Sequence, residues 1–191
     1  MRLTTKDTVL VALFAALTAA GAFVKIPVGP APITLQFFFT ALAGILLGPS
    51  LGLLSQLLYI GLGLVGLPVF TAGGGPAYIL HPTFGYLVGF SLAAFIIGKI
   101  TSRVSKPTIK VLFGACMLGI FVIYALGVPY MYLILRFVVQ TPIAFYQALV
   151  SGFIVFLPGD VAKSIVAAYL GARVLPLIKR NQAGAGIDVQ G

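Results

Sequence analysis

Acidic residues are almost missing from this sequence: there is no Glu, and the three acids are Asp7, Asp160 and Asp188. Only 8% of the 191 residues are charged and 60% are hydrophobic, at a mean hydropathy of +1.14. A water-soluble domain of this size could not cover its surface with so few polar groups, so the chain is read as an integral membrane protein. One cysteine, Cys116, excludes an internal disulfide, and one histidine with three acids is too poor a ligand set for a metal site. No H-E-x-x-H motif and no Ser/His/Asp arrangement in motif form occurs, so no catalytic residue is assigned. Gly159-Asp-Val-Ala-Lys163-Ser164 looks like the tail of a phosphate-binding loop. Ala162 occupies its glycine position and no glycine-rich arch precedes it, which excludes an ATP site. No cofactor is expected. The net charge of +9 would suit nucleic acid in a soluble chain, but here the bases fall mostly at the ends of apolar runs, where they orient spans in a bilayer.

What is present is a series of apolar runs punctuated by Pro and Gly. They predict one all-α membrane domain over residues 1–180 with six transmembrane helices, at about 8–24, 33–47, 51–64, 82–100, 111–126 and 158–178. A polar tail, 181–191, is expected to be disordered. Thr5 or Asp7 caps the first helix, Gly48-Pro49-Ser50 makes a very tight turn, and Gly127-Val128-Pro129 ends the fifth helix. Residues 130–157 are weakly patterned and are read as one or two short helices over the outer face. Residues 66–82 are too broken by Gly and Pro to span. They predict a compact external loop in which Gly73 and Gly74 can bring bare backbone N–H groups to a ligand while Phe70, Tyr78 and His81 close over it. Arg2, Lys6, Lys99, Arg103, Lys106, Lys110, Arg173, Lys179 and Arg180 then share one side against Lys25 and Arg136 on the other, which places both termini in the cytoplasm.

Two features carry function. Asp160 and Lys163 lie three apart at the start of the last span, after Pro158 at a helix-opening position. An ionisable pair inside a membrane faces the protein interior or a wet cavity, and by default marks a functional site; the alternative is a structural ion pair that holds two helices together. Thr34 and Gln36 near the outer end of the second helix, the Gly-rich loop and Tyr86 all converge on the same external end, beneath Gly/Pro-rich loops that would cover a ligand pocket. The first helix contributes Ala12, Ala16 and Ala20, four apart, beside Ala15 and Ala19, two small-residue rows suited either to another protein's helix or to internal packing. A proton-coupled or stand-alone carrier for another small molecule, or a small membrane enzyme using Asp160, also fits the isolated residues.

Six motifs in order then carry a resemblance: Pro30-Ala-Pro-Ile-Thr34-Leu-Gln36, Leu46-Leu-Gly-Pro49, Gly66-Leu-Pro-Val-Phe70, Gly73-Gly74, Pro82-Thr-Phe-Gly-Tyr86-Leu-Val-Gly-Phe90 and Phe156-Leu-Pro-Gly-Asp160-Val-Ala-Lys163. Together they resemble the BioY family, the biotin-specific S components of energy-coupling factor transporters. The resemblance covers all but the last dozen or so residues. Family members commonly read Pro-Thr-Gly-Gly-Tyr where this chain has Phe84 in the middle. The resemblance implies a non-enzymatic, multi-pass subunit of a prokaryotic plasma membrane that captures biotin from outside. It also implies docking on a module of one transmembrane coupling protein and two cytosolic ATPases, through a small-residue helix face.

Overall fold

The computed structural model of the chain describes residues 3–104 and 107–184. The order is α1 (Thr5–Phe23), β1 (Lys25–Ile26), β2 (Ile33–Thr34), α2 (Gln36–Leu64), a 3-10 turn (Pro76–Leu80), α3 (Phe84–Ser102), α4 (Ile109–Leu133), α5 (Phe145–Leu149) and α6 (Leu157–Gly184). Single π-helical turns, Ile134–Val138 and Val150–Ile154, follow α4 and α5. Among the described residues, five helical stretches are long and apolar enough to cross a membrane: Thr5–Phe23, Gln36–Leu64, Phe84–Ser102, Ile109–Val138 and Phe145–Ile178.

α2 is a helix folded back on itself. Gly48 has φ 79° and ψ −174°, outside helical space, and Pro49 follows it. Across this kink Thr40 Oγ1 donates to Gln56 Oε1 at 3.1 Å, and Gln36 Nε2 donates to the Tyr59 hydroxyl at 2.9 Å. In a straight helix residues 40 and 56 would stand about 24 Å apart. Only two antiparallel arms, 36–47 and 49–64, satisfy both bonds, as the tight turn read at Gly48-Pro49-Ser50 requires. Gly48 supplies the left-handed φ, and Gly98 of α3 supplies room: a Cβ there would lie 2.5 Å from the carbonyl carbon of Gly48.

α3 is the central helix, with 61% of its apolar window buried against 33% for α1 and 22% for 145–178. It packs between α2 and α4, α6 leans on both of these, and α1 packs chiefly on α2. Polar side chains inside the bundle are paired, as they must be where water cannot substitute. Gln56 reaches Thr18 of α1 at 3.1 Å and Ser55 at 3.2 Å besides accepting from Thr40. Among the described residues no buried side-chain N or O lacks a partner. The two ends of the bundle differ. At one, Leu3, Ser50 and Phe95 come together, Gly171 seats Ile45 and Leu112, and Lys99, Arg103, Lys110 and Arg173 are exposed. At the other lie the β1–β2 hairpin, residues 66–83 and α5.

Several boundaries differ from those read in the sequence. Thr4 is the N-cap of α1 and Asp7 closes a capping box, so the helix opens at Thr5 rather than at 8. Residues 33 and 34 pair with Lys25 and Ile26 as a strand, and the helix starts at Gln36. α4 runs straight through Gly127-Val128-Pro129 to Leu133. Gly127 is a seat and not a stop: a Cβ there would lie 2.5 Å from Tyr86 Cδ1. α6 continues past 178 to Gly184, while Lys106 and the remainder of the expected tail lie outside the described residues.

The hairpin account gives a paired prediction. Gly48→Ala forces a side chain into a sparsely populated backbone region and should cost about 1–3 kcal/mol. Gly61→Ala, at a helical position with no atom within 4 Å of the new Cβ, should be neutral or stabilise by about 0.5–1 kcal/mol. Thermal unfolding of the purified variants in detergent reads the difference.

Candidate functional site

The acid and base at the head of α6 meet as the sequence places them, three apart on one face. Lys163 Nζ forms an ion pair with Asp160 Oδ1, and the side chains are only 14% and 10% exposed. Two charges removed from water this far persist only if their other polar atoms are also satisfied. The second carboxylate oxygen, Oδ2, accepts a 2.5 Å hydrogen bond from the Tyr124 hydroxyl of α4. The ammonium also donates to the backbone carbonyl of Thr34 at 2.8 Å. One ion pair therefore joins α6, α4 and the end of β2.

These groups open into a cavity of about 60 Å³ lined by Thr34, Gln36, Tyr86, Asp160 and Lys163, all read from the sequence as binding residues, and by others that were not, among them Thr71, Thr83, Phe90, Tyr124 and Phe156. Thr34 takes part differently from expectation. Its hydroxyl donates to Gln36 Oε1 at 3.0 Å and accepts from Gln36 N at 3.3 Å, so it presents its carbonyl to Lys163 while its side chain orients Gln36. Gln36 Nε2 then donates to Tyr59, whose hydroxyl donates to the Val69 carbonyl at 3.1 Å. Tyr86 is wedged between Gly127 and Gly152, donates to the Gly152 carbonyl at 2.9 Å and meets Tyr124 edge to face at 6.1 Å.

Gly73, Gly74 and Tyr78 do not reach this cavity. Gly73 N–H donates to Phe70 O within the loop at 3.3 Å, and Gly74 is pressed against Leu67 and Gly63. Phe70 is buried, its ring edge to face with Tyr59 and tilted against Tyr78. Tyr78 stands one layer behind the wall, with its hydroxyl 2.9 Å from Thr83 and 3.0 Å from Thr71. Phe84 leaves the cavity alone and packs against Tyr130. The alanines of α1 divide: Ala15 is buried and Ala19 partly so, while Ala12, Ala16 and Ala20 are exposed.

A lysine ammonium carries three N–H donors and a carboxylate about four lone-pair positions. Two of each are engaged within the protein, which leaves a donor and acceptors side by side, with a second Gln36 N–H nearby. The remaining walls are Phe37, Leu87, Phe90, Ile123 and Phe156. Such a lining is chemically suited to a compact apolar ring system with adjacent N–H and C=O groups. Small-molecule sites ordinarily exceed roughly 300 Å³, so admitting a two-ring ligand requires lining loops or side chains to move.

The BioY family model matches residues 1–180. The chain belongs to the BioY family. It is 46% identical over 179 residues to a probable biotin transporter BioY of Lysinibacillus sphaericus, covering 94% of this chain and 91% of the relative. It is 39% identical over 166 residues to the biotin transporter BioY of Thermotoga maritima, covering 86% and 93%. Among solved structures, the S component for biotin from an ECF-type ABC transporter superposes with a TM-score of 0.67 at 28% identity, covering 91% of this chain and 94% of that one. Within this BioY-family chain, Tyr124 is the side-chain partner of the ion pair that sequence reasoning passed over. A phenol in an apolar helix signals nothing until its partner 36 residues later is beside it.

Hydrogen bonds to charged groups contribute about 1.5–3 kcal/mol, so Tyr124→Phe should weaken binding of biotin, the ligand in the relatives' names, by roughly 10- to 100-fold. In an Asp160→Asn background the same change should cost much less. Equilibrium binding across the four proteins measures the coupling.

Proposed function

We propose that this chain is the biotin-capturing S component of an energy-coupling factor importer. The observation that carries the reading is the buried Asp160–Lys163 pair, held by Tyr124 and the Thr34 carbonyl at the floor of an apolar cavity. The ureido ring of biotin has two N–H donors and a carbonyl, which complement the free acceptors of Asp160 and the free donors of Lys163 and Gln36. Aromatic and aliphatic walls suit its sulfur ring and its chain. The names of the relatives and the structural neighbour point to the same ligand.

The two arms of α2, counted as separate crossings, make six spans and return both termini to one side. The exposed bases Lys99, Arg103, Lys110 and Arg173 gather at the end opposite the cavity, in keeping with a cytoplasmic face there and an external site. ATP hydrolysis then belongs to partner subunits, two cytosolic ATPases joined through a transmembrane coupling protein. For docking on that protein we assign the outer face of α1, where Ala12, Ala16 and Ala20 are exposed between Val9 and Phe23. Small residues let helix backbones approach until dispersion contacts accumulate, and a bulky one holds them apart.

Purified wild-type protein should bind radiolabelled biotin, with unlabelled biotin competing; failure of a folded, monodisperse preparation to bind it contradicts the proposal. Ala16→Trp, on an exposed position, should keep biotin affinity within a few fold while losing co-purification with the coupling module and ATP-dependent uptake. Normal assembly and uptake by this variant would remove α1 from the docking surface.

A further inference from the structure

Behind the cavity wall runs an ordered chain of polar groups with a defined direction. The Thr83 N–H donates to His81 Nδ1 at 3.3 Å, so that nitrogen carries a lone pair and the imidazole is the neutral Nε2–H tautomer. The Thr83 hydroxyl, 2.8 Å from the same nitrogen, must then donate to it as well. Its oxygen is left to accept from the Tyr78 hydroxyl at 2.9 Å, and Tyr78 in turn accepts from Thr71 at 3.0 Å. Lys25 closes the far end by donating to the Thr71 carbonyl at 2.6 Å. Each hydroxyl proton thus points toward His81. Thr71 and Thr83 both line the cavity, and with their protons committed inward they face it only as acceptors.

We propose that His81 is a positioning residue for the ligand site: its neutral ring fixes the polarity of the Thr83–Tyr78–Thr71 chain, so that both threonines offer lone pairs to an N–H-bearing ligand. A proton on Nδ1 reverses every bond in the chain. Thr83 loses the acceptor for its N–H, and Thr71 turns a hydroxyl hydrogen toward the cavity. The titratable group against His81 is the Tyr78 ring, stacked on it with centroids 4.6 Å apart; the Tyr130 hydroxyl of α4 binds the Ile79 carbonyl of the 3-10 turn that His81 ends. Among the described residues no carboxylate pairs with His81. Burial holds its pKa below the ordinary histidine value. The folded arrangement therefore favours the unprotonated ring, is present above the ordinary histidine pKa, and is lost as pH falls through the lowered pKa.

This inference rests on the reading of the Asp160 cavity as the biotin site, so its primary test needs no ligand. The chain has one histidine, and 15N-histidine spectra of untagged protein report this single ring. They should show the Nε2–H tautomer with Nδ1 as acceptor, titrating below the ordinary histidine range. An Nδ1–H tautomer, or a pKa at or above that range, overturns the proposal whatever the ligand proves to be. Biotin affinity should be flat from pH 8 to about 6.5 and fall several-fold below, roughly tracking His81 protonation. His81→Asn, whose Oδ1 takes the place of Nδ1 as acceptor, should bind like wild type at pH 7.5 and lose the pH dependence. His81→Phe keeps the stack on Tyr78 without an acceptor and should bind roughly ten-fold more weakly throughout. Equal pH profiles for wild type and His81→Asn, or full affinity in His81→Phe, contradict the role.

Discussion

A buried ion pair is the constraint on which the rest of the cavity depends. The mutual attraction of Asp160 and Lys163 does not by itself offset their burial, because desolvating two ions costs several kcal/mol each. Tyr124 from α4 and the Thr34 carbonyl from β2 each add a hydrogen bond to the pair. Satisfying the pair therefore fixes the relative positions of three elements far apart in sequence. The pair is stabilised by neighbours that do not exhaust it, and the donors and acceptors left over are what a ligand can use.

The hairpin in α2 makes this possible. Gly48 turns the chain in a single residue, bringing the Gln36 end of one arm beside Tyr59 of the other. Thr34 and Gln36 thereby sit at the cavity rim, clamped from below by Tyr59 and Val69 and from the side by Lys163. A second polar layer, Thr40–Gln56–Thr18, ties the outer helix α1 to the same hairpin. α1 uses Ala15 for that packing and leaves Ala12, Ala16 and Ala20 on its outer face.

Charge scarcity is why so much of the site was legible in the sequence. In a chain with three acids, a carboxylate three residues from a lysine at the head of an apolar run stands out without any structure. The Gly48-Pro49 turn was equally plain, since glycine followed by proline between two apolar runs marks a turn. Residues whose meaning depends on a distant partner were not legible: Tyr124 is one apolar-run tyrosine among several until Asp160 is placed beside it. Gly127-Val128-Pro129 misled because in a packed membrane bundle glycine serves close approach as readily as chain breaking, and here it admits Tyr86. Gly73 and Gly74, read in the sequence as possible ligand contacts, serve the loop itself in this structure. Their bare backbone shapes the loop on Phe70 and Leu67 and stays away from the cavity.

The central claim is that the Asp160–Lys163 pair serves the ligand and is more than a brace between helices. The most direct measurement is a comparison of Asp160→Asn, Lys163→Met and the double variant, each assayed for thermal stability and for biotin affinity. Removing one charge strands the other, so each single variant should lose stability and some 2–5 kcal/mol of binding, about one and a half to three and a half decades. The double variant strands no charge; it should recover much of the stability yet still fail to bind biotin. A double variant that binds biotin with wild-type affinity would show the pair to be a structural brace and contradict the account.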